Sequence, residues 1–287
     1  MRTVLKTLAE ELQRLKAEGV KTVSVPVESV AALRQALEKY QSQPVAVPKP
    51  VPTTAPMPAA AVTVQFPEPP TVILSDGEKS VRWAALTSFV QSDPVCRAHV
   101  RPGKKIVLGV GNLDAKIMFV GEAPGAEEEV QGEPFVGPAG QLLTKMIQGM
   151  SLKRGDVYIG NIMNWRPELP VSGGGEQYGN RPPTEEEMRY CLPYLRAQIE
   201  VVNPALLVAL GSTAAQGLLG FGAFKTLGEV RGRWREFGGR PLMVTYHPSY
   251  ILRNQSNRSK RMIWEDLLQV MERAGLPITD KQRGYFL

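Results

Sequence analysis

Short apolar runs alternate with amphipathic segments along the later part of the chain. Uninterrupted runs of this kind are typical of parallel strands that are buried on both faces of a sheet. The apolar runs cover residues 116–120, 157–160, 206–210 and 242–246. Helical spacing of apolar residues follows in residues 141–150, in 184–202, from about 212 onward, and in 261–273.

This alternation predicts the fold class. Strands that are separated by helices favour a parallel sheet with helices on both of its faces. We therefore predict an α/β fold, a three-layer α/β/α sandwich with a central four-stranded parallel sheet. Thr184 and Glu187 have the spacing of a capping box, which predicts that the second helix begins at this point.

The residues before this region have a different pattern. Leu5, Leu8, Leu12 and Leu15 share one helical face, which predicts a helical N-terminal extension over residues 1–42. Nine of the 24 prolines lie between residues 44 and 70, so we predict an extended linker over residues 43–71. Residues 72–287 form the remaining domain. The extension either docks a protein partner through this tether or serves as a solubilising or self-associating tail.

Composition and charge narrow the class of protein. A chain of 287 residues with 43% hydrophobic residues can bury a full core. It has no run of about 18 apolar residues and no secretory signal pattern, and its two cysteines cannot form a disulfide framework. We expect a cytoplasmic monomer without a membrane span. The net charge of +6 permits an anionic partner such as nucleic acid but does not require one.

Polar residues follow each predicted strand. Glu122 follows the first strand, Asn161 the second, Ser212 the third and His247 the fourth. Ligands of open α/β sheets bind beyond the carboxyl ends of the strands. A carboxylate, an amide and an imidazole therefore converge on one edge of the sheet, and we predict a functional site there.

Several segments together resemble one family, the uracil-DNA glycosylases, and within it the bacterial and archaeal type called family 4. The densest segment is GEAPGAEEEVQGEPFVGPAGQLL, residues 121–143. The other matching segments are residues 157–167, 180–195, 208–215 and 247–253. The resemblance implies hydrolysis of the N-glycosidic bond of a uracil that has been flipped out of DNA, which leaves an abasic site. The alternative is a glycosylase fold that binds DNA but has weak or no catalytic activity.

The resemblance also implies roles for individual residues. Phe135 would stack on the flipped uracil, and Asn161 would pair with its O4 and N3–H edge. The backbone around Ala123 would supply further hydrogen bonds, and His247 would bond to uracil O2 as negative charge builds on the leaving base.

Two carboxylates compete for one catalytic role. Glu122 and Glu128 both occupy acidic positions of the family motif, and one of them would orient the attacking water. The sequence leaves open which one it is.

DNA contacts are expected around the same edge. Residues after His247 would form a wedge that fills the gap left by the flipped base. The basic run 253–261 and the arginines Arg231, Arg233 and Arg235 would contact phosphates, unless they are simply solvated charges. The expected DNA-binding residues are Ser212, Ser249, Tyr250, Leu252 and Arg253.

One expected feature of the family is missing. Family 4 enzymes carry a [4Fe–4S] cluster on four cysteines. This chain has only Cys96 and Cys191; Trp165 stands at the third position, and His99 follows Cys96 at the spacing of a Cys-x2-His remnant. We expect no cluster and no other cofactor. A three-ligand zinc site of Cys96, His99 and Cys191 is a minor alternative. The Gly-rich stretch 171–178 is expected to rearrange this region.

Overall fold

A computed structural model of the chain describes residues 66–169, 177 and 179–287. The predicted N-terminal extension lies outside the described residues, as do most of the linker and nearly all of the Gly-rich stretch. In the described ranges, no helix is both long enough and apolar enough to cross a membrane.

The centre of the fold is a six-stranded sheet with the order β1-β3-β2-β4-β6-β5. Its four middle strands are parallel and match the four predicted strands. They are β2 (Ile117–Gly121), β3 (Tyr158–Asn161), β4 (Leu206–Leu210) and β6 (Arg240–Thr245). The predicted parallel sheet is therefore confirmed as the core of a larger, mixed sheet.

The two outer strands are antiparallel and were not predicted. They are β1 (Val110–Gly111), which pairs with β3, and β5 (Trp234–Phe237), which pairs with β6. β1 has only 2 residues, and the two middle residues of β5 are charged and exposed. Neither segment has the continuous apolar run that marks a buried strand, because an edge strand is only partly covered.

Nine helices lie in the described ranges, and they include the four that the apolar spacing predicts. The capping box is confirmed, since the Glu187 N–H donates to Thr184 Oγ1 (3.2 Å) and the Thr184 N–H donates to Glu187 Oε2 (2.7 Å). The helices are α1 (Lys79–Ser92), α2 (Pro94–Ala98), α3 (Ala126–Gln131), α4 (Pro138–Gly149), α5 (Glu185–Val202), α6 (Ser212–Leu219), α7 (Pro248–Arg253), α8 (Asn257–Arg273) and α9 (Asp280–Arg283).

The sheet is buried on both faces, which confirms the three-layer arrangement. Along β2, Met118 and Val120 belong to one core and Ile117 and Phe119 belong to the other. This alternation follows from the two-residue period of a strand. Residues of α1, α5 and α6 contribute to the first core, and residues of α4, α7 and α8 contribute to the second.

Candidate active site

The predicted site residues meet at the carboxyl edge of the parallel sheet. Gly121 at the end of β2 is in register with Asn161 at the end of β3. Beyond these ends lies an open cleft of about 600 Å³. Nine of the predicted residues line it, namely Glu122, Ala123, Glu128, Phe135, Asn161, Ser212, His247, Ser249 and Arg253.

Two glycines allow an aromatic ring to enter this cleft. A Cβ atom on Gly121 would lie 2.4 Å from both Phe135 Cζ and Asn161 Oδ1. A Cβ atom on Gly140 would lie 1.8 Å from the carbonyl oxygen of Phe135. Any side chain at either position would displace the Phe135 loop, so both glycines are needed for this packing.

Asn161 presents an unsatisfied acceptor at the base of the cleft. The residue is 6% exposed, and its Oδ1 atom finds no hydrogen-bond partner among the described residues. Buried polar atoms in native proteins are nearly always paired, because an unpaired one loses its hydration without compensation. A ligand that donates a hydrogen bond into the cleft would satisfy this atom.

His247 lies at the N-cap of α7 and faces Phe135. The two rings have centroids 5.6 Å apart with an interplanar angle of 31°. The backbone N–H of Ser249 donates to His247 Nδ1 (3.2 Å), and the Ser249 hydroxyl lies 2.9 Å from the same nitrogen. Because Nδ1 accepts a hydrogen bond, the proton of the neutral ring is on Nε2.

The charge state of this histidine is set mainly by burial. Burial lowers the pKa of His247 to about 4; the positive charge of Arg253 acts in the same direction, and the carboxylate of Glu128 opposes it. A depressed histidine pKa means that the ring is neutral at every pH well above that value. His247 is therefore a neutral Nε2–H donor at neutral pH.

Three glutamates line the cleft, and the two predicted ones, Glu122 and Glu128, are in different situations. Glu128 Oε1 accepts hydrogen bonds from the backbone N–H groups of Val136 (3.0 Å) and Gly137 (2.9 Å). Its Oε2 accepts from the N–H of Gly125 (3.1 Å). Oε1 of Glu128 thus holds the loop after Phe135, and Oε2 caps the start of α3 at Gly125. Glu122 is different, because burial raises its pKa. A hydrogen bond with Thr213 acts on this pKa in the opposite direction.

Of the five expected DNA-binding residues, three line the cleft and two do not. Ser212, Ser249 and Arg253 line the cleft, and the Ser249 hydroxyl contacts the His247 ring. Tyr250 instead stacks on Tyr246, with ring centroids 4.3 Å apart. Leu252 is 41% exposed on α7.

Comparison with known proteins identifies the family. The model of the Uracil DNA glycosylase superfamily matches residues 108–268. The chain is 42% identical to a type-4 uracil-DNA glycosylase of Thermotoga maritima over 62% of this chain and 87% of that protein. The chain belongs to the uracil DNA glycosylase superfamily.

Two further relatives refine the position of the chain in this superfamily. It is 40% identical to a type-4 uracil-DNA glycosylase of Pyrobaculum aerophilum, over 61% of this chain and 87% of that protein. It is 31% identical to a type-5 uracil-DNA glycosylase of the same organism, over 57% of this chain and 73% of that protein. The similarity to these type-4 glycosylases is thus the greater, as the matching segments predicted.

The four positions that the type-4 resemblance assigns to cluster ligands do not fit an iron–sulfur cluster. The His99 ring stacks on the Trp165 ring, with centroids 4.8 Å apart and an interplanar angle of 24°. Cys96, Trp165 and Cys191 are all buried in the same core. Burial raises the pKa of both thiols. Two thiols and two packed rings cannot replace four thiolates.

The zinc alternative has no support in this part of the glycosylase fold. His99 Nδ1 donates to the carbonyl oxygen of Val95 (2.9 Å), and its ring packs between Trp165 and Phe66. Within the described ranges, no three His, Cys, Asp or Glu side chains are grouped so that they could hold a metal ion.

One of the three predicted phosphate-contacting arginines has a different role in the structure. Arg231 Nη1 donates to both carboxylate oxygens of Asp266 (2.9 Å each) and to the carbonyl of Met262 (2.8 Å). Its guanidinium also lies 5.3 Å from the Tyr246 ring centre. Arg231 therefore ties the end of β6 to α8, whereas Arg233 and Arg235 are exposed. The sequence did not reveal this role, since nothing in the spacing pairs Arg231 with Asp266.

Two further residues of the cleft were missed by the sequence analysis. Thr213 and Asn180 both line it. Asn180 is held by Arg166, whose Nε donates to Asn180 Oδ1 (2.8 Å). The available signal was position alone, because Thr213 follows the predicted Ser212 and Asn180 begins the matching segment 180–195.

Proposed function

We propose that this chain is a DNA-repair glycosylase that hydrolyses the N-glycosidic bond of uracil flipped out of DNA and leaves an abasic site. The observation that carries the proposal is the unsatisfied Asn161 Oδ1, which borders an open cleft beside an aromatic ring and a neutral imidazole. A flipped base supplies the flat apolar face and the hydrogen-bond donor that these groups lack. The superfamily match and the type-4 relatives support the same reaction.

Recognition of uracil rests on the Phe135 ring and the Asn161 amide. The ring stacks on the base, and the amide reads its edge, because Oδ1 accepts from N3–H and Nδ2 donates to O4. Cytosine presents an acceptor and a donor in the reverse order. If cytosine bound in the same way, Asn161 Oδ1 would face another acceptor, N3, and Nδ2 would face another donor, the N4 amino group. The pocket therefore rejects cytosine. The backbone of Ala123, which lines the cleft, contributes further hydrogen bonds.

His247 assists departure of the base. Its Nε2–H donates to uracil O2, where negative charge builds as the glycosidic bond breaks. The neutral ring suits this role, because its hydrogen bond strengthens as charge develops, without transfer of a proton. The Ser249 contacts at Nδ1 fix the tautomer that makes this donation possible.

We assign the attacking water to Glu122. Glu128 is the weaker candidate, because both of its oxygens already accept backbone N–H groups. Glu122 lines the cleft, and its carboxylate accepts a proton from water as the water attacks the anomeric carbon. Its negative charge also favours the oxocarbenium-like sugar. Glu128 then acts by shaping the loop that carries Phe135.

The DNA is held around the mouth of the cleft. Arg253 and the exposed N-terminus of α6 at Ser212 contact phosphates on either side of the flipped nucleotide. Ser249 and Tyr250 hold α7 in place, and the exposed Leu252 enters the gap in the base stack. We further propose that the enzyme works without a cofactor and is cytoplasmic, which agrees with its two free cysteines.

The test is an alkali-cleavage assay on single- and double-stranded oligonucleotides that contain one uracil. We expect strand scission by the wild-type protein and a large loss in Asn161→Ala and His247→Ala. Both variants should keep the wild-type melting temperature to within a few degrees. Folded protein that binds the oligonucleotides but causes no scission would exclude the glycosylase and would favour the DNA-binding module.

A further inference from the structure

The backbone of Phe135 has a conformation that it cannot hold unaided. Its φ angle is 55°, in the left-handed region that bulky residues rarely adopt. Such a conformation persists only where the surrounding structure enforces it, and it tends to occur at functional sites. The groups that enforce it therefore control where the ring lies in the cleft.

One of these groups is Arg154, in the 3-10 turn Arg154–Asp156 between α4 and β3. Its Nη2 donates to the carbonyl oxygen of Pro134 (2.6 Å), the residue directly before Phe135. Its Nη1 donates to Thr144 Oγ1 (3.3 Å), and that hydroxyl in turn donates to the carbonyl of Gly140 (3.0 Å). The guanidinium thus ties the entry of the Phe135 loop to α4.

Glu128 holds the other side of the same residue. It accepts the N–H groups of Val136 and Gly137, the two residues that follow Phe135. The peptide groups before and after Phe135 are therefore fixed by two side chains of opposite charge. Burial lowers the pKa of the Arg154 guanidinium, and the negative charges of Glu133 and Glu128 oppose this effect.

We propose that Arg154 is a positioning residue for uracil excision, acting on the base only through Phe135. This inference rests on the proposed function. Arg154 does not line the cleft, and its two hydrogen bonds both end on the loop and helix that frame Phe135. Loss of the guanidinium frees the Pro134 carbonyl, so the loop relaxes from the left-handed conformation and the ring leaves its stacking position.

The test compares three variants. Arg154→Met keeps the apolar part of the side chain and removes every hydrogen-bond donor. Arg154→Ala is a second deletion variant. Arg154→Lys restores one donor group and the positive charge. Arg240→Ala is the matched control, because Arg240 also donates to a backbone carbonyl (Gly238, 3.1 Å) and to a side-chain oxygen (Asn203, 2.7 Å). Arg240 begins β6, at the opposite end of the strand from the cleft.

The first readout follows the ring itself. The protein is labelled with 4-fluorophenylalanine and studied by fluorine NMR. The chain has 8 phenylalanines, and the signal that is missing in Phe135→Leu is assigned to Phe135. We expect the Phe135 signal to shift or broaden in Arg154→Met and to stay in place in Arg154→Lys and Arg240→Ala. A Phe135 signal that is the same in Arg154→Met as in Arg240→Ala would overturn the proposal.

The second readout consists of two measurements. One is the single-turnover rate of uracil release, and the other is the inhibition constant of free uracil. In Arg154→Met we expect the rate to fall by about tenfold or more and the inhibition constant to rise by a similar factor. Arg154→Lys should recover most of both losses. A moved Phe135 signal with unchanged rate and inhibition would also overturn the proposal. A wild-type protein that releases no uracil would instead overturn the proposed function, while the fluorine signals still decide whether Arg154 positions Phe135.

Discussion

Two regions border the short segment from Asn161, the last residue of β3, to Trp165, and they are built in opposite ways. Asn161 opens into the cleft, whereas Trp165, four positions later, is buried in a cluster with His99 and Tyr190. Both regions contain an unpaired buried polar atom within the described residues, Asn161 Oδ1 in the first and Trp165 Nε1 in the second. Of these two residues, Asn161 lines the open cleft and Trp165 does not. An orphaned polar atom thus indicates a ligand site when there is also space for a ligand.

The aromatic cluster includes His99 and Trp165, which stand at two of the positions where the type-4 resemblance places iron–sulfur ligands. A structural metal contributes folding free energy that a chain without it must recover elsewhere. Here Phe66, His99, Trp165, Tyr190 and Tyr194 form a continuous series of ring contacts. Such pairs contribute about 0.5–1.5 kcal/mol each beyond their buried area. In the cleft, in contrast, Asn161 Oδ1 has no hydrogen-bond partner among the described residues.

The largest expected effect is the loss of recognition in Asn161→Ala. Removal of this amide should lower single-turnover excision of uracil on the order of 10²- to 10³-fold, because the base loses its paired edge. The matched control is Asn164→Ala, which removes a buried asparagine whose Nδ2 donates to the Val107 carbonyl (3.2 Å). That control should lose stability but keep its rate. Equal rate losses in both variants would contradict the assignment of the cleft.

The aromatic cluster should behave in the opposite way. Trp165→Ala leaves a large cavity and should destabilise the fold by about 3–5 kcal/mol in denaturant unfolding. Excision by the remaining folded protein should change by less than about twofold, since Trp165 does not line the cleft. Trp234→Ala, at the half-buried edge strand, should lose less stability. A folded Trp165→Ala protein without excision would show that the cluster is part of the active site.

The pH dependence of excision separates two titratable groups of the cleft, Glu122 and His247. In the proposed mechanism Glu122 acts as a carboxylate. Burial raises its pKa, so activity should fall on the acid side at a higher pH than an ordinary glutamate would give. His247, with a pKa of about 4, should add no transition near the usual histidine value. Glu122→Gln should lower the rate on the order of 10²-fold and remove the acid limb. If the loss of activity at low pH is unchanged in this variant, a group other than Glu122 activates the water.

The smallest expected effect concerns Leu252, which is exposed on α7 and does not line the cleft. Leu252→Ala should lower excision a few-fold on duplex DNA and leave single-stranded DNA unaffected, because only a duplex has a gap to fill. Ile73→Ala is a suitable control, since Ile73 is 86% exposed and does not line the cleft. A similar loss on both substrates would argue against the wedge.

Much of this arrangement could be predicted from the sequence. The four buried strands have continuous apolar runs, and the residues after them meet because parallel strands end at one edge. The division of labour between Glu122 and Glu128 could not be predicted, because it depends on which backbone N–H groups a loop turns inward. Arg154 was not found for the same reason. Its partner is a backbone carbonyl, and every residue has one whatever its side chain.

The most direct test of the account is single-turnover uracil excision by protein whose iron content has been measured. We expect rapid release of uracil by a preparation with far less than one iron per chain, and no change in rate after treatment with a chelator. Excision that appears only in an iron-containing fraction and is lost with the iron would contradict it. So would a folded, DNA-binding protein that releases no uracil.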